Sequence, residues 1–412
     1  MTTAAAAARA ELADHLREAV RAGPAVEAAF RAVPRHSFLP EIEPVQAYQD
    51  TAITIKADDE GLPLSASTQP AMMAIMLDQL ALSAGHHVLE IGTGTGFNAA
   101  LIAHIVQDQR RVVTVDVDPE LTGNARTRLA EAGYAAVTVV CGDGAAGFAG
   151  RAPYDRIIVT AGAWDLAPQW LAQLTPGGRI VLPLSVRGIQ LSVGLESHGN
   201  RLVSRAARRC GFIRMAGAFS GPESFVALGP QPGLHAQIAD GPAPDPDALY
   251  DALSAPATEV SAGFQVADVA ELADLDLWLT LAEPGLARLT MMGRHETHAS
   301  PAQQRIATLL PLGALAQVGG VGGLGVAALV PGGSGTHRRP FEITACGYGP
   351  GGPSLAKRLV RQAFAWDERG RPGAQTLELT AWPPGTPVAA TGTDSIIIDR
   401  PHTRLALRWP TS

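Results

Sequence analysis

Between residues 87 and 184, short apolar runs alternate with helix-like stretches, and this rhythm constrains the fold more than any other feature of the chain. The runs are 87–91, 111–117, 136–142, 156–162 and 178–184. Residues 97–107, 119–132 and 166–174 between them read as helices. Strand and helix in alternation at this spacing call for a parallel sheet with crossover helices. Runs such as Arg156-Ile157-Ile158-Val159 suit strands buried on both faces. The expected fold class is α/β, a doubly wound Rossmann-like sheet. Residues 189–197 and 201–215 read as an antiparallel addition to it. Upstream, Leu12, Leu16, Val20, Val26, Phe30 and Val33 recur at helical spacing, with a break at Gly23–Pro24. Pro34 and Pro40 end that helical run.

The chain has 412 residues, more than one such domain needs, and its texture changes near residue 220. We expect two domains, 1–220 carrying the α/β sheet and 221–412 forming an α+β extension. Residues 228–247 are rich in Gly, Pro, Ala and Asp and read as a linker or loop. Farther on, 354–366 form an amphipathic helix, while 376–382, 395–399 and 403–409 read as strands. A hydrophobic content of 46% against 17% charged residues excludes a mainly disordered chain. A net charge of −7 and 5% aromatics disfavour a basic stripe and a base-stacking platform, so no nucleic-acid partner is expected. Residues 306–336 lack Asp, Glu, Lys and Arg, as a membrane span would. Pro311 and the doublets Gly319–Gly320 and Gly322–Gly323 make a poor helix, however. That stretch reads as short buried strands joined by a glycine turn, and no membrane partner is expected. Cys141, Cys210 and Cys346 are far apart and form no CxxC, which argues against a disulfide framework or a zinc site. The N-terminal alanine run is followed at once by Arg9, Glu11 and Asp14, too charged for a signal-peptide core. These features suit the cytoplasm.

The strongest motif is Glu90-Ile91-Gly92-Thr93-Gly94-Thr95-Gly96, closing the first buried strand and preceding a helix. Glycines there permit a sharp turn and close approach of a ligand. In parallel sheets, ligands bind at the carboxyl ends of the strands. Asp116 ends the next strand, where a carboxylate can accept two hydrogen bonds from ribose hydroxyls. A dinucleotide fingerprint needs a third glycine at position 97, which is Phe97. The observed G-x-G-x-G with Glu90 before it suits S-adenosylmethionine, which has no pyrophosphate to cradle. Gly142-Asp143-Gly144 ends the third strand. There Asp143 can accept from an adenine amino group, and Gly144 lets the base lie close. The cofactor-binding set read from the sequence is therefore Glu90, Gly92, Gly94, Gly96, Asp116, Asp143 and Gly144.

Several ordered motifs together resemble the protein-L-isoaspartate O-methyltransferase family, over roughly residues 25–220. They are Val33-Pro34-Arg35-His36-Ser37-Phe38-Leu39-Pro40, Thr68-Gln69-Pro70-Ala71-Met72-Met73, VLEIGTGTGFNAA (88–100), VVTVDVDPEL (112–121) and GDG (142–144). PYDRIIVTAGA (153–163), LTPGGRIVLPL (174–184) and CGFIRMAG (210–217) complete the series. The resemblance implies a doubly wound sheet that binds S-adenosylmethionine. Gly92, Gly94 and Gly96 would contact its methionine part, Asp116 the ribose, and Asp143 with Gly144 the adenine. It also implies a peptide or protein substrate carrying Asp or isoaspartate. The family usually has a serine before Gln-Pro whose hydroxyl touches the substrate carboxylate. This chain has Thr68 there, the candidate catalytic residue, with Ser65 and Ser67 as nearby alternatives. The C-terminal half resembles an extension seen in members associated with ribosomally made peptides such as lanthipeptides. Tyr348-Gly349-Pro350-Gly351-Gly352 and Asp399-Arg400-Pro401-His402-Thr403-Arg404 carry that second resemblance.

Three functions follow: a carboxylate methyltransferase acting on a ribosomal peptide and leading to succinimide (aspartimide), a general isoaspartate repair methyltransferase, and a non-catalytic binding module. The intact glycine loop and both acids argue against the third. Among other groupings, His295-Glu296-Thr297-His298 has its histidines three apart rather than the four of a metal-binding H-E-x-x-H, so no metal is expected. His36 reads as a surface or capped core histidine, and His86–His87 as a turn. His337-Arg338-Arg339 and Lys357-Arg358 with Arg361 read as solvated positive faces or as contacts for an acidic peptide.

Overall fold

A computed structural model describes residues 3–59, 61–229, 234–239, 245–283, 286–291, 314–317, 325–332, 340–387 and 395–410. The chain forms two compact units: Met1–Leu184, Gln190–Gly221 and Glu378–Arg408 make the first, and Ser185–Ile189, Pro222–Leu377 and Trp409–Ser412 the second.

The first unit opens with helices α1 (Thr3–Ala19) and α2 (Pro24–Ala32). Proline at the first position of α2 costs no hydrogen bond there and presets the helical φ. An antiparallel hairpin follows, β1 (Ile53–Ala57) and β2 (Pro63–Ser67), then helix α3 (Pro70–Leu80). The α/β core consists of β3 (Val88–Ile91), α4 (Phe97–Val106), β4 (Val112–Asp116), α5 (Pro119–Glu131), β5 (Thr138–Cys141), β6 (Tyr154–Val159), α6 (Pro168–Gln173) and β7 (Leu174–Val186). All four residues of β3 are buried, because helices cover both faces. Helix α5 is started by Asp118, whose Oδ1 accepts from the amides of Glu120 at 2.8 Å and Leu121 at 3.2 Å.

The strands lie in the order β5-β4-β3-β6-β7, and each of these neighbouring pairs is parallel. The order reverses between β3 and β6. Loops after these two strands diverge and leave a crevice at the carboxyl edge of the sheet, the place where doubly wound folds take ligands. Beneath it, Phe97 packs between Phe30 and Phe38, with ring centroids 5.9 and 5.6 Å apart. Burying each such ring contributes roughly 1.5–3 kcal/mol. This cluster ties α2 and α4 to the glycine loop that precedes Phe97.

Beyond β7 the sheet continues with β8 (Ile189–His198), which pairs antiparallel with β9 (Arg201–Ser204) and with β10 (Ala207–Cys210). Among the described residues, the second unit holds a seven-stranded antiparallel sheet. Its strands are β11 (Ser224–Ala227), β12 (Leu234–Ile238), β13 (Thr258–Val266), β14 (Leu286–Met291), β15 (Ala314–Gln317), β16 (Gly325–Gly332) and β17 (Phe341–Tyr348). Helices α7 (Pro246–Ser254), α8 (Val269–Ala282) and α9 (Gly352–Glu368) accompany it. Its core includes Leu234, Ile238, Leu249, Leu253, Leu289 and Tyr348.

Three features differ from the sequence reading. Residues 221–412 are not one C-terminal body: β18 (Glu378–Trp382), β19 (Ile396–Asp399) and β20 (Arg404–Arg408) return to the first unit. There β18 pairs with β9, β20 with β18 and β19 with β20, which extends the sheet to eleven strands among the described residues. The fully buried Asp165 holds the return, its carboxylate accepting from the His402 amide at 2.9 Å and the Thr403 hydroxyl at 2.6 Å. Second, the expected linker 228–247 contains strand β12, which pairs with both β11 and β14. Third, the hairpin β1–β2 and helices α3, α7 and α8 fall where no element was assigned. In the apolar stretch 306–336, β15 and β16 pair antiparallel, whereas its glycine turn at 318–324 lies outside the described residues, as do residues 294–298 and 337–339. Among the described residues no helix is long and apolar enough to cross a membrane.

Candidate active site

The crevice above β3 and β4 is a cavity of about 830 Å³ within the first unit. Its floor is the glycine loop, its far wall the loops after β4, β5 and β6, and its cover the β1–β2 hairpin. The hairpin is fastened by Lys56, whose Nζ lies 2.7 Å from Asp118 and 2.8 Å from Glu120. Both carboxylates raise the affinity of Lys56 for its proton, and the pair lowers the pKa of Asp118.

Six sequence candidates line this cavity together: Thr68, Gly92, Gly94, Asp116, Asp143 and Gly144. Gly94 takes φ +51°, and its amide donates to Asp116 Oδ2 at 3.1 Å. The carboxylate ending β4 thus also shapes the loop ending β3. Asp143 caps the turn after β5, accepting from the Ala145 amide at 2.9 Å. The carbonyl of Gly144 accepts from Trp170 Nε1 at 2.8 Å, which fixes the wall beside Asp143.

Glu90 and Gly96 do not line the cavity. A side chain on Gly96 would press on Ala125 and Leu129 of α5, so that glycine serves helix packing. Glu90 is fully buried beneath the loop. Its carboxylate accepts from Asn98 Nδ2 at 2.7 Å and from the Thr114 hydroxyl at 2.6 Å, and burial pushes its pKa up to about 7. Position in the motif does not reveal which way the β3 side chain points.

Sequence reasoning missed three groups here. Arg35, fully buried, donates from one guanidinium nitrogen to the carbonyl of Thr68 at 3.1 Å and to Ser67 Oγ at 3.3 Å. Its other two nitrogens lack a partner, and burial pushes its pKa down to about 10. Asp50 holds the same turn from the other side. Its carboxylate accepts from the Ala71 amide at 2.8 Å and from Gln69 Nε2 at 3.2 Å. The third is Asn98, which lines the cavity with a buried Oδ1 that has no protein partner. His36, by contrast, lies 2.6 Å from the Tyr48 hydroxyl, a local packing contact.

Two carboxylates on adjacent strand ends, a backbone turn exposed by glycines and an orphaned buried acceptor together fit a polar, nucleoside-bearing ligand. Residues 7–219 match the model of the family described as protein-L-isoaspartate(D-aspartate) O-methyltransferase (PCMT). This chain belongs to that family. A protein-L-isoaspartate O-methyltransferase of Methanopyrus kandleri is 40% identical over 223 residues, covering 53% of this chain and 96% of the relative. Protein-L-isoaspartate O-methyltransferase 2 of Archaeoglobus fulgidus is 43% identical over 176 residues, 43% of this chain and 78% of the relative. A solved protein-L-isoaspartate O-methyltransferase aligns with a TM-score of 0.49 at 22% identity, over 90% of this chain and 96% of its own. The chain is thus a protein-L-isoaspartate-type O-methyltransferase.

Proposed function

We propose that this methyltransferase esterifies an aspartyl or isoaspartyl carboxylate of a ribosomally made peptide, and that the ester goes on to a succinimide. Its cofactor is S-adenosylmethionine, which supplies an electrophilic methyl group on a positively charged sulfur. The residues that would hold it are the Gly92–Gly94 turn, Asp116 at the ribose, and Asp143 with Gly144 at the adenine.

A substrate carboxylate is ionised at neutral pH and needs no general base. The task of the protein is alignment and exclusion of water, which in favourable cases supplies ~7–11 kcal/mol. Thr68 is the residue for that role. Its hydroxyl would donate to the non-attacking carboxylate oxygen, while Arg35 and Asp50 hold the turn that carries it. The added methyl of threonine narrows the space beside the reacting carboxylate and bears on substrate choice. Once esterified, the carboxyl has a better leaving group: the following backbone amide nitrogen can attack the ester carbon, give up its proton and expel methanol as the ester C–O bond breaks, closing the succinimide.

The observation that carries the peptide reading is the second unit. The family model matches residues 7–219, and 53% of this chain matches 96% of the Methanopyrus relative, so the antiparallel sheet described from Ser224 onward lies beyond the matched family region. The test offers labelled S-adenosylmethionine with either an isoaspartyl test peptide of unrelated sequence or a candidate precursor peptide encoded nearby. Transfer confined to the precursor supports the proposal. Efficient transfer to any isoaspartyl peptide would assign the enzyme to repair. Thr68→Val keeps the shape and removes the donor, and should lower the methyl-transfer rate about 10- to 100-fold at saturating cofactor. An unchanged rate would remove Thr68 from the mechanism.

A further inference from the structure

The motif from Asp399 to Arg404 takes no part in lining the cavity. It forms the turn between β19 and β20, where the Arg400 amide donates to the Thr403 carbonyl at 2.8 Å. The tip of this turn, residues 400–403, stands behind the cavity and grips its walls at two places.

The first grip is on the loop after β6. Thr160 and Ala161 of that loop line the cavity. Farther along it, Asp165 accepts from the His402 amide and the Thr403 hydroxyl. The Arg400 guanidinium carbon lies 5.2 Å from the centre of the Trp164 ring in the same loop. The loop in turn carries the wall formed by Gly211 to Gly217. The Gly162 amide donates to the Ile213 carbonyl at 2.8 Å, and the Gly162 carbonyl accepts from the Met215 amide at 2.9 Å.

The second grip is on the far end of that wall. Here the His402 ring stacks on Phe219, with centroids 5.4 Å apart and planes inclined by 30°. Phe219 lies 6.0 Å from the fully buried Trp170, which donates to the Gly144 carbonyl at 2.8 Å. The wall itself also arrives at this place, since a side chain at position 144 would lie 3.7 Å from the Met215 methyl. Both grips therefore lead to Gly144, beside Asp143. Gly217 and Gly221, each at φ +79°, flank Phe219, so this backbone has little stiffness of its own. Fixed rings on either side of Phe219 supply it.

The family model ends at residue 219, so the wall lies in the matched region and the tip of the turn does not. We propose that residues 400–403 brace the adenine side of the cofactor site, with His402 as a positioning residue that acts through Phe219. The proposal rests on the cavity being the cofactor site. It gives the returning C-terminal strands a part in methyl transfer without any contact with the ligand.

The test uses the full chain and needs no turnover. The dissociation constant of S-adenosylhomocysteine is measured by calorimetry for wild type, His402→Ala and His402→Phe, with urea denaturation alongside. Both variants keep the backbone amide that Asp165 uses, and the His402 side chain is exposed, so the fold should tolerate them. Losing a stacked pair should weaken binding about three- to tenfold in His402→Ala. His402→Phe restores the stack and should return to within about twofold of wild type. His402→Ala at wild-type affinity overturns the brace, and a lowered urea midpoint with that affinity marks His402 as support for the fold alone. Equal weakening in both variants overturns it too, because the ring would then not be what matters. If His402→Ala fails to fold, His402→Gln is read against His402→Phe in the same way. Folded wild-type protein that does not bind overturns the cofactor reading and the brace together, whereas wild-type binding that ignores His402→Ala overturns the brace alone.

Discussion

Replacing Arg35 by methionine separates stability from function at this site. The guanidinium is fully buried, and two of its three nitrogens make no hydrogen bond. Its pKa is pushed down to about 10 by burial, with Asp50 offsetting part of that effect. At about 1.4 kcal/mol per tenfold change in proton affinity, holding this charge inside costs on the order of 3 kcal/mol. Against that stand two hydrogen bonds, to Thr68 O at 3.1 Å and Ser67 Oγ at 3.3 Å, together contributing roughly 1.5–3 kcal/mol. A further gain comes from the Phe97 ring, 5.8 Å from the guanidinium carbon and worth ~0.5–1 kcal/mol. The terms nearly cancel, and methionine refills much of the apolar stem. Unfolding free energy in urea should therefore stay within about 1 kcal/mol of wild type, as it does when buried charges give way to apolar residues of similar size. Activity should not survive so well. Without the tether the Ser67–Thr68 turn shifts, and misplacement by an ångström costs on the order of 100-fold in rate. The assay pairs urea denaturation with kcat/KM for methyl transfer at saturating cofactor. Unchanged kcat/KM would show that the turn stands without Arg35, and a stability loss of ~3 kcal/mol or more would show that the charge is a net contributor to the fold.

The remaining predictions concern Glu90 and the C-terminal return. Glu90 has a native pKa pushed up to about 7, against ~4.5 for the free side chain, so the native state keeps a proton that the unfolded chain releases. Its contribution thus lowers stability as pH rises from ~4.5 to ~7 and is constant above, by on the order of 3 kcal/mol in all. Glu90→Gln should gain ~2–3 kcal/mol relative to wild type between pH 5 and pH 8 in denaturant titrations; parallel pH profiles would contradict this. Thr403→Val deprives the buried Asp165 of a donor at 2.6 Å and should destabilise the first unit by about 1–3 kcal/mol, measured in urea. A loss below ~0.5 kcal/mol would mean that Asp165 is satisfied without it.

The parallel core was legible because its strands are contiguous apolar runs and its helices are bounded by glycine and proline signals. The ends of β3, β4 and β5 carry their polar residues in order, and six of the eight candidates meet in one cavity. The β1–β2 hairpin left no such trace. Its strands, ITIKA and PLSAS, mix exposed and half-buried positions without clean alternation, and Ser67 alone of them is buried. The C-terminal strands were visible as strands, but local periodicity carries no information about a partner as distant in sequence as β9. Asn98 and Arg35 were hidden for a related reason. A polar residue within an apolar helix, or an arginine in a Pro-Arg-His run, becomes informative only when its unpaired atoms and neighbours are seen.

The central claim is that the cofactor lies along the carboxyl ends of β3, β4 and β5 with its ribose at Asp116. Titration calorimetry of S-adenosylhomocysteine into the wild-type chain and into Asp116→Ala tests it most directly. The account predicts saturable one-to-one binding, weakened about 10- to 100-fold in a variant of unchanged circular dichroism. Folded wild-type protein that gives no heat, or an Asp116→Ala variant that binds as tightly as wild type, would contradict it.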